Sequence, residues 1–224
     1  MISGQTPIKS SMPSLIPSLL SGHHENLLSS LKTIERHHLS WAHLDVMDGH
    51  FVPNFSFGPQ IIKTLKRHSS LFFDVHLMLE HPERFISTFI EAGANLLSFH
   101  VESQAPIAAT LKHIREQNCA TGLACNPDSP EELLLPWLEQ VDRLLFMAVQ
   151  PGFCGQTFRH DVLHKIAKIA AIRQRRELSF RIAVDGGIDA ITAEKCLKAG
   201  ADVVVSGTSF FDPVKRRSLR KLLP

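Results

Sequence analysis

The sequence predicts a single-domain α/β protein, a (β/α)8 TIM barrel. Short apolar runs alternate with segments of helical period along the whole chain. No linker-like stretch interrupts the alternation, and 224 residues accommodate eight such units. Two helix ends echo one another: Glu91-Ala92-Gly93-Ala94-Asn95 and Lys198-Ala199-Gly200-Ala201-Asp202 both stop a helix on glycine and then start a strand. A doubly wound open sheet uses the same alternation, but it would normally show a Gly-x-Gly-x-x-Gly turn after its first strand. Leu19-Leu20-Ser21-Gly22 is not one.

The strand candidates are 14–19, 41–47, 71–78, 95–101, 120–124, 143–149, 180–184 and 202–206. Each is rich in Leu, Val, Ile or Phe, as strands covered on both faces should be. The helices lie between them. Segment 25–37 puts Leu27, Leu28, Leu31 and Ile34 on one face, and 59–68 puts Ile61, Ile62 and Leu65 there. Segment 82–92 opens on a first-turn proline and presents Phe85, Ile86, Phe89 and Ile90. Segment 106–117 offers Ile107, Leu111 and Ile114. Segment 130–138 contains Pro136, so its helix must be short or broken. Segment 161–176 repeats Val162, Leu163, Ile166 and Ile169; 192–199 is brief, and 215–222 closes the chain. The barrel core is expected over about 13–212, with residues 1–12 an N-terminal extension and 213–224 a C-terminal helix and tail.

Composition narrows the function. Hydrophobic residues are 44% of the chain, enough for a sizeable core. Lys plus Arg is 24 against 22 Asp plus Glu, which argues against nucleic acid as a partner. The basic stretch Lys215-Arg216-Arg217 with Arg220 and Lys221 reads as a solvated helix face. Cys119, Cys125, Cys154 and Cys196 form no Cys-x-x-Cys pair, and reduced thiols in a cytoplasmic protein are expected. No apolar run approaches the ~18–20 residues of a membrane span. The first 24 residues lack acids and are rich in serine, but they contain no arginine, and Pro17 interrupts the apolar run, so no targeting segment is expected.

Chemistry in a parallel barrel gathers where the strands run out. In the second strand candidate, His43 and Asp45 are two residues apart and share a side; in the third, Asp74 and His76 do the same. The seventh runs into Asp185. Inward-facing imidazoles and carboxylates cannot stay unpaired in a low-dielectric lumen. A divalent metal held by His43, Asp45, His76 and Asp185 is one resolution: two nitrogens and two carboxylates suit zinc and tolerate manganese, iron or cobalt. A buried hydrogen-bond network without metal is the other. Asp74 reads as a buried hydrogen-bonding partner, and Asp48 and His50 as residues that orient the following loop. Glycines cluster after strands six, seven and eight, at Gly152-Phe153-Cys154-Gly155, Gly186-Gly187 and Ser206-Gly207-Thr208, where backbone N–H groups can close on a phosphate.

The segments Pro17-Ser18-Leu19-Leu20-Ser21, His43-Leu44-Asp45-Val46-Met47-Asp48-Gly49-His50-Phe51-Val52-Pro53-Asn54, Asp74-Val75-His76-Leu77-Met78, Pro151-Gly152-Phe153-Cys154-Gly155-Gln156, Val184-Asp185-Gly186-Gly187 and Ser206-Gly207-Thr208 resemble the ribulose-phosphate 3-epimerases. The likeness runs from about residue 13 to residue 212. It implies interconversion of D-ribulose 5-phosphate and D-xylulose 5-phosphate through an enediolate, a step of the pentose phosphate pathway, by an enzyme that forms a homo-oligomer, a dimer or hexamer. It also implies one divalent metal, zinc foremost and Fe2+, Mn2+ or Co2+ otherwise, on His43, Asp45, His76 and Asp185. Asp45 becomes the proton acceptor and Asp185 the donor in one direction. Ser18, His76, Met47, Met78, Met147 and Asp185 become substrate contacts. Gly152, Phe153, Cys154, Gly155, Gly186, Gly187, Gly207 and Thr208 become the phosphate grip.

Three positions depart from the family pattern. Cys154 replaces a glycine, Gln150 stands where Asn or Glu is commoner, and Gly22-His23 stands where Ala-Asp is usual. If residue 154 needs positive φ, cysteine there costs about 1 kcal/mol or more. The same chemistry on a hexulose 6-phosphate such as D-allulose 6-phosphate is the nearest alternative. A metal-free decarboxylase would need an Asp-x-Lys-x-x-Asp string, which the chain lacks. A non-catalytic phosphosugar binder would not need the intact acid/base set.

Overall fold

The computed structural model describes residues 14–223, so the expected 1–12 extension lies outside the described residues. Eight parallel strands form the barrel: β1 (Leu15–Pro17), β2 (Trp41–Met47), β3 (Phe72–Met78), β4 (Leu96–His100), β5 (Ala120–Cys125), β6 (Arg143–Met147), β7 (Arg181–Asp185) and β8 (Val203–Ser206). From β2 to β8 each pairs with its sequence neighbour, and β8 returns to β1. The ring closes between β1 and β2 through one parallel bridge, Ser18 to His43. The (β/α)8 expectation and all eight strand positions are met. β1 is shorter than its apolar run because the chain turns at Ser18, whose Oγ accepts the Leu20 N–H, into a 3-10 turn over Leu19–Ser21.

Around the strands lie α1 (Leu27–Arg36), α2 (Pro59–Arg67), α3 (Ile86–Glu91), α4 (Ile107–Glu116), α5 (Val162–Arg175), α6 (Ala190–Lys198), α7 (Thr208–Phe211) and α8 (Pro213–Leu222). The 82–92 segment is split, a 3-10 turn at Pro82–Arg84 preceding α3. The Pro136 segment is a 3-10 stretch, Glu131–Trp137, as a proline inside a helical run requires. Helix α7 has only four residues, too few to show a period in the sequence.

Alternate residues along each strand separate two cores. Leu44, Val46, Phe73, Val75 and Leu77 face the helices and join the large outer cluster. Ile16, Trp41, Leu96, Leu145, Val203 and Val205 fill the lumen, with Ala120, Ala124 and Ala183 making room for the indole. Trp41 stacks on Phe72 at 3.7 Å between ring centres and floors the barrel.

The glycine echo has a structural basis. Gly93 (φ +111°) and Gly200 (φ +106°) end α3 and α6 in the left-handed region. Each is followed by a residue that ties two strands. Asn95 Oδ1 accepts the Phe73 N–H at 2.9 Å, and Asp202 Oδ2 accepts the Ile182 N–H at 2.8 Å. Asp142 does the same for the Thr121 N–H at 2.9 Å. The lower rim of β3 to β8 is thus stitched at every second strand.

Candidate active site

Above the aromatic floor the lumen is polar on one side. The register pairs His43 with Asp74 and Asp45 with His76, so the two-residue spacings on β2 and β3 place four ionisable groups side by side. Asp185, at the end of β7, leans over them. Ligand atoms of His43, Asp45, His76 and Asp185 all lie within 4.8 Å of one another. His43 Nε2 is 3.2 Å from Asp45 Oδ1 and 3.7 Å from Asp185 Oδ2; His76 Nδ1 is 3.0 Å from Asp45 Oδ1. Ser18 Oγ donates to Asp45 Oδ2 at 2.8 Å.

The far side of each imidazole is anchored. His43 Nδ1 meets Asp74 Oδ2 at 2.6 Å. His76 Nε2 meets His100 Nε2 at 2.8 Å, and His100 Nδ1 meets Glu102 Oε2 at 3.1 Å. Glu102 and Asp74 are acceptors, so each chain of bonds assigns its protons. His43 carries a proton on Nδ1 and His76 on Nε2, leaving His43 Nε2 and His76 Nδ1 as lone pairs aimed at carboxylate oxygens. Only a proton or a cation satisfies that arrangement.

The electrostatics say the same. Burial opposes charge on His43, but Asp74 and Asp45 outweigh it and raise the imidazole well above its ordinary value. Burial dominates at His76 and lowers it to about 4. Burial pushes Asp45 up, yet His43 and His76 together hold it well below the carboxylate range. Asp185 goes the other way: burial, then the charge of Asp45, lifts it to about 7. A divalent cation between two imidazole lone pairs and two carboxylates would replace the proton on His43 Nε2. The donor set fits zinc, and the anchored far nitrogens are what a metal-binding histidine requires.

A cavity of about 250 Å³ opens above this cluster. Of the candidate site residues, Ser18, Asp45, Met47, Met78, Met147, Gly152, Phe153, Cys154, Gly155, Asp185, Gly186, Gly187, Gly207 and Thr208 line it. His76 does not; it is fully buried beneath, touching Asp45 and His100. Met47 and Met78 pack with Val52 on one wall. On the opposite side Ser21 Oγ lies 3.3 Å from Thr208 Oγ1. A Cβ at Gly187 (φ +62°) would come within 2.7 Å of the Phe158 nitrogen, so that position admits no side chain; one at Gly207 would come within 2.4 Å of Ser21 Oγ and displace that hydroxyl. Cys154 is not among the positive-φ residues, which removes the expected strain; Gly152 and Gly155 take that conformation instead. Burial raises its thiol, which disfavours the reactive thiolate.

Asp48 orients the loop after β2 as expected: its carboxylate accepts from the His50, Phe51 and Glu80 N–H groups at 2.8–2.9 Å. Four residues escaped the sequence reading. His100 and Glu102 stand two apart at the end of β4, the same spacing that flagged His43 and Asp45. Arg143 opens β6 and pairs with Asp74, which burial would raise but Arg143 and His43 hold well below its ordinary range. Lys215, read as part of a solvated face, is the one lysine or arginine lining the cavity among the described residues.

A model of the ribulose-phosphate 3 epimerase family matches residues 14–211. The ribulose-phosphate 3-epimerase of Treponema pallidum is 42% identical over 207 residues, covering 92% of this chain and 95% of that protein. The Bacillus subtilis protein of the same name is 37% identical over the same shares. A 3-keto-L-gulonate-6-phosphate decarboxylase from Vibrio cholerae superposes with a TM-score of 0.68 at 13% identity, covering 94% of this chain and 96% of that one, a likeness of fold alone.

Proposed function

The chain belongs to the ribulose-phosphate 3-epimerase family and is an isomerase, and from that premise we propose that it interconverts D-ribulose 5-phosphate and D-xylulose 5-phosphate by moving a proton at carbon 3. One observation carries the reading. Asp45 and Asp185 enter the same cavity from β2 and β7, and their surroundings drive their acidities apart. Paired carboxyls of this kind divide into base and acid.

The proton on carbon 3 is acidified by the neighbouring ketone. Asp45, kept ionised and fixed by Ser18, takes it; the product is an enediolate. Asp185, whose carboxyl burial and Asp45 make the weaker acid, returns a proton to the opposite face, which inverts the centre. In the reverse direction the roles exchange. His43, Asp45, His76 and Asp185 would hold one divalent ion, zinc foremost and Fe2+, Mn2+ or Co2+ otherwise, which supplies Lewis-acid stabilisation of the charge developing on the sugar oxygens. Met47, Met78 and Met147 give the sugar an apolar wall that excludes water.

The phosphate sits at the other end, against the backbone of Gly186, Gly187, Gly207 and Thr208 and under the loop Gly152–Gly155. The ionisable acids of the cavity are Asp45, Asp185 and Asp189, so an entering dianion needs a positive partner, and Lys215 supplies it. We place the enzyme in a reducing cytoplasm, in keeping with its four free cysteines, and in the pentose phosphate pathway. We expect a homo-oligomer, a dimer or hexamer, in solution. Phe55, Ile61 and Phe153 are exposed apolar residues around one shared groove, and light scattering measures the state.

Incubation of the enzyme with ribulose 5-phosphate in heavy water tests the reading. Deuterium should appear at carbon 3 of both sugars, and D-allulose 6-phosphate run alongside should turn over far more slowly. Absence of exchange at carbon 3 would end the proposal. Chelation should abolish turnover, and added zinc should restore it.

A further inference from the structure

A buried guanidinium crosses the lumen beneath the cavity. Arg143 is 0% exposed and reaches from β6 to Asp74 on β3. Its Nη1 donates to Asp74 Oδ2; its Nη2 donates to Asp74 Oδ1 at 2.5 Å and to Ser98 Oγ at 2.8 Å. The passage exists because of β5. Gly122 is the register neighbour of both Ser98 and Arg143, and a Cβ there would fall 1.9 Å from Ser98 Oγ. Arg143 Nε has no hydrogen-bond partner among the described residues.

Stability does not account for this arrangement. Apolar side chains of similar volume in place of both Arg143 and Asp74 would fill the same space with no ion to dehydrate and no orphaned donor. What Arg143 touches is more informative. Asp74 Oδ2, held by Arg143 Nη1, is also the atom 2.6 Å from His43 Nδ1. The buried mouth holds three carboxylates, Asp45, Asp74 and Asp185. Asp45 and Asp185 would share the divalent cation, and the permanently charged Arg143 is the partner of Asp74.

We propose that Arg143 is a positioning residue for the metal centre: it neutralises Asp74 and fixes its carboxylate, so that His43 is held with Nε2 directed at the shared space, and it thereby sets how tightly a divalent cation is bound. The proposal rests on the metal reading above. Lysine in its place would keep the charge and lose the two-pronged grip; glutamine would lose the charge and keep a donor.

Zinc affinity measured by competition with a chromophoric chelator tests this, with the absorption spectrum of cobalt-loaded protein as a second readout. Arg143→Gln should weaken zinc by about 10–100-fold, the usual effect of losing a partner that orients a ligand, and should alter the cobalt spectrum. Arg143→Lys should fall between Arg143→Gln and the parent. On an Asp74→Asn background, where no anion is left to cancel, adding Arg143→Gln should change zinc affinity less than about threefold, the shortfall a double-mutant cycle reads as coupling. Folded Arg143→Gln protein binding zinc within about twofold of the parent would overturn the proposal, as would equal losses with and without Asp74. Should Arg143→Gln not fold, parental zinc affinity and spectrum in Arg143→Lys would overturn it instead. A parent protein that binds no zinc, manganese or cobalt would defeat the metal reading itself, a result distinct from a parent that binds zinc and a variant that binds it equally well.

Discussion

The two ends of the barrel treat polar groups in opposite ways. At the lower rim Asn95, Asp142 and Asp202 each take a backbone N–H from the preceding strand and give their own N–H to that strand's carbonyl, at 2.8–2.9 Å. Each such group is spent on the fold, on that backbone pair and on a neighbouring side chain: Lys66 at Asn95, Thr121 at Asp142 and Arg173 at Asp202. At the mouth Asp45 and Asp185 face one another across two imidazoles, a set of donors that could hold a metal ion. The lower rim serves the fold and the upper rim the chemistry, a division of labour general to this architecture. Position along a strand, more than residue type, decides which role an aspartate has.

Substitutions at the two ends sharpen the contrast. The largest effect is expected at the mouth. Asp185→Asn should lower kcat about 10²–10⁴-fold, the usual worth of a general acid, with thermal unfolding little changed. A near-parental rate would remove Asp185 from the reaction. Asp202→Ala at the lower rim should do the reverse: destabilise by about 1–3 kcal/mol in urea titration, by stranding the Ile182 N–H and the Arg173 that also contacts Asp202, with kcat unchanged. A loss of rate at parental stability would blur the division.

Glu102 stands behind His76 at the mouth, through His100, and its effect on stability is confined to acid. Burial would raise its carboxyl, but His100 first, then Ser129 and the Asn126 N–H, lower it from 4.5 to about 2. A carboxyl lowered on folding contributes stability that is complete above the unfolded value near 4.5 and is lost as pH falls toward 2. Urea midpoints should therefore drop between pH 4.5 and 2, and Glu102→Gln should flatten that slope. The smallest effect is expected from Lys215→Met. KM for the phosphorylated sugar should rise about 3–10-fold with kcat kept, as befits a solvent-screened contact to an anion. Arginine at 215 should restore it, and an unchanged KM would return Lys215 to the solvated face.

What the sequence made legible follows from short range. The spacing of two on β2 and β3 put His43 with Asp45 and Asp74 with His76 on one side, and parallel register then aligned the pairs. Glycines at the ends of β6, β7 and β8 marked the wall of the cavity where we propose that the phosphate binds. Arg143 was hidden because its partner lies 69 residues away, and only the order of strands around the ring brings them together. Lys215 was hidden for another reason. Helix α8 reads as a basic surface, and nothing local reveals that its first turn begins beside the β8 loop. The split of segment 82–92 was hidden because apolar spacing does not distinguish a 3-10 turn from the start of an α-helix.

Trp41 gives the barrel an optical gauge. The chain has two tryptophans and no tyrosine, and this one is sealed in the lumen against Phe72. Its near-ultraviolet dichroism depends on the ring of strands staying shut. With Trp137 replaced by phenylalanine, a single emission band would follow opening of the ring in real time, without any label.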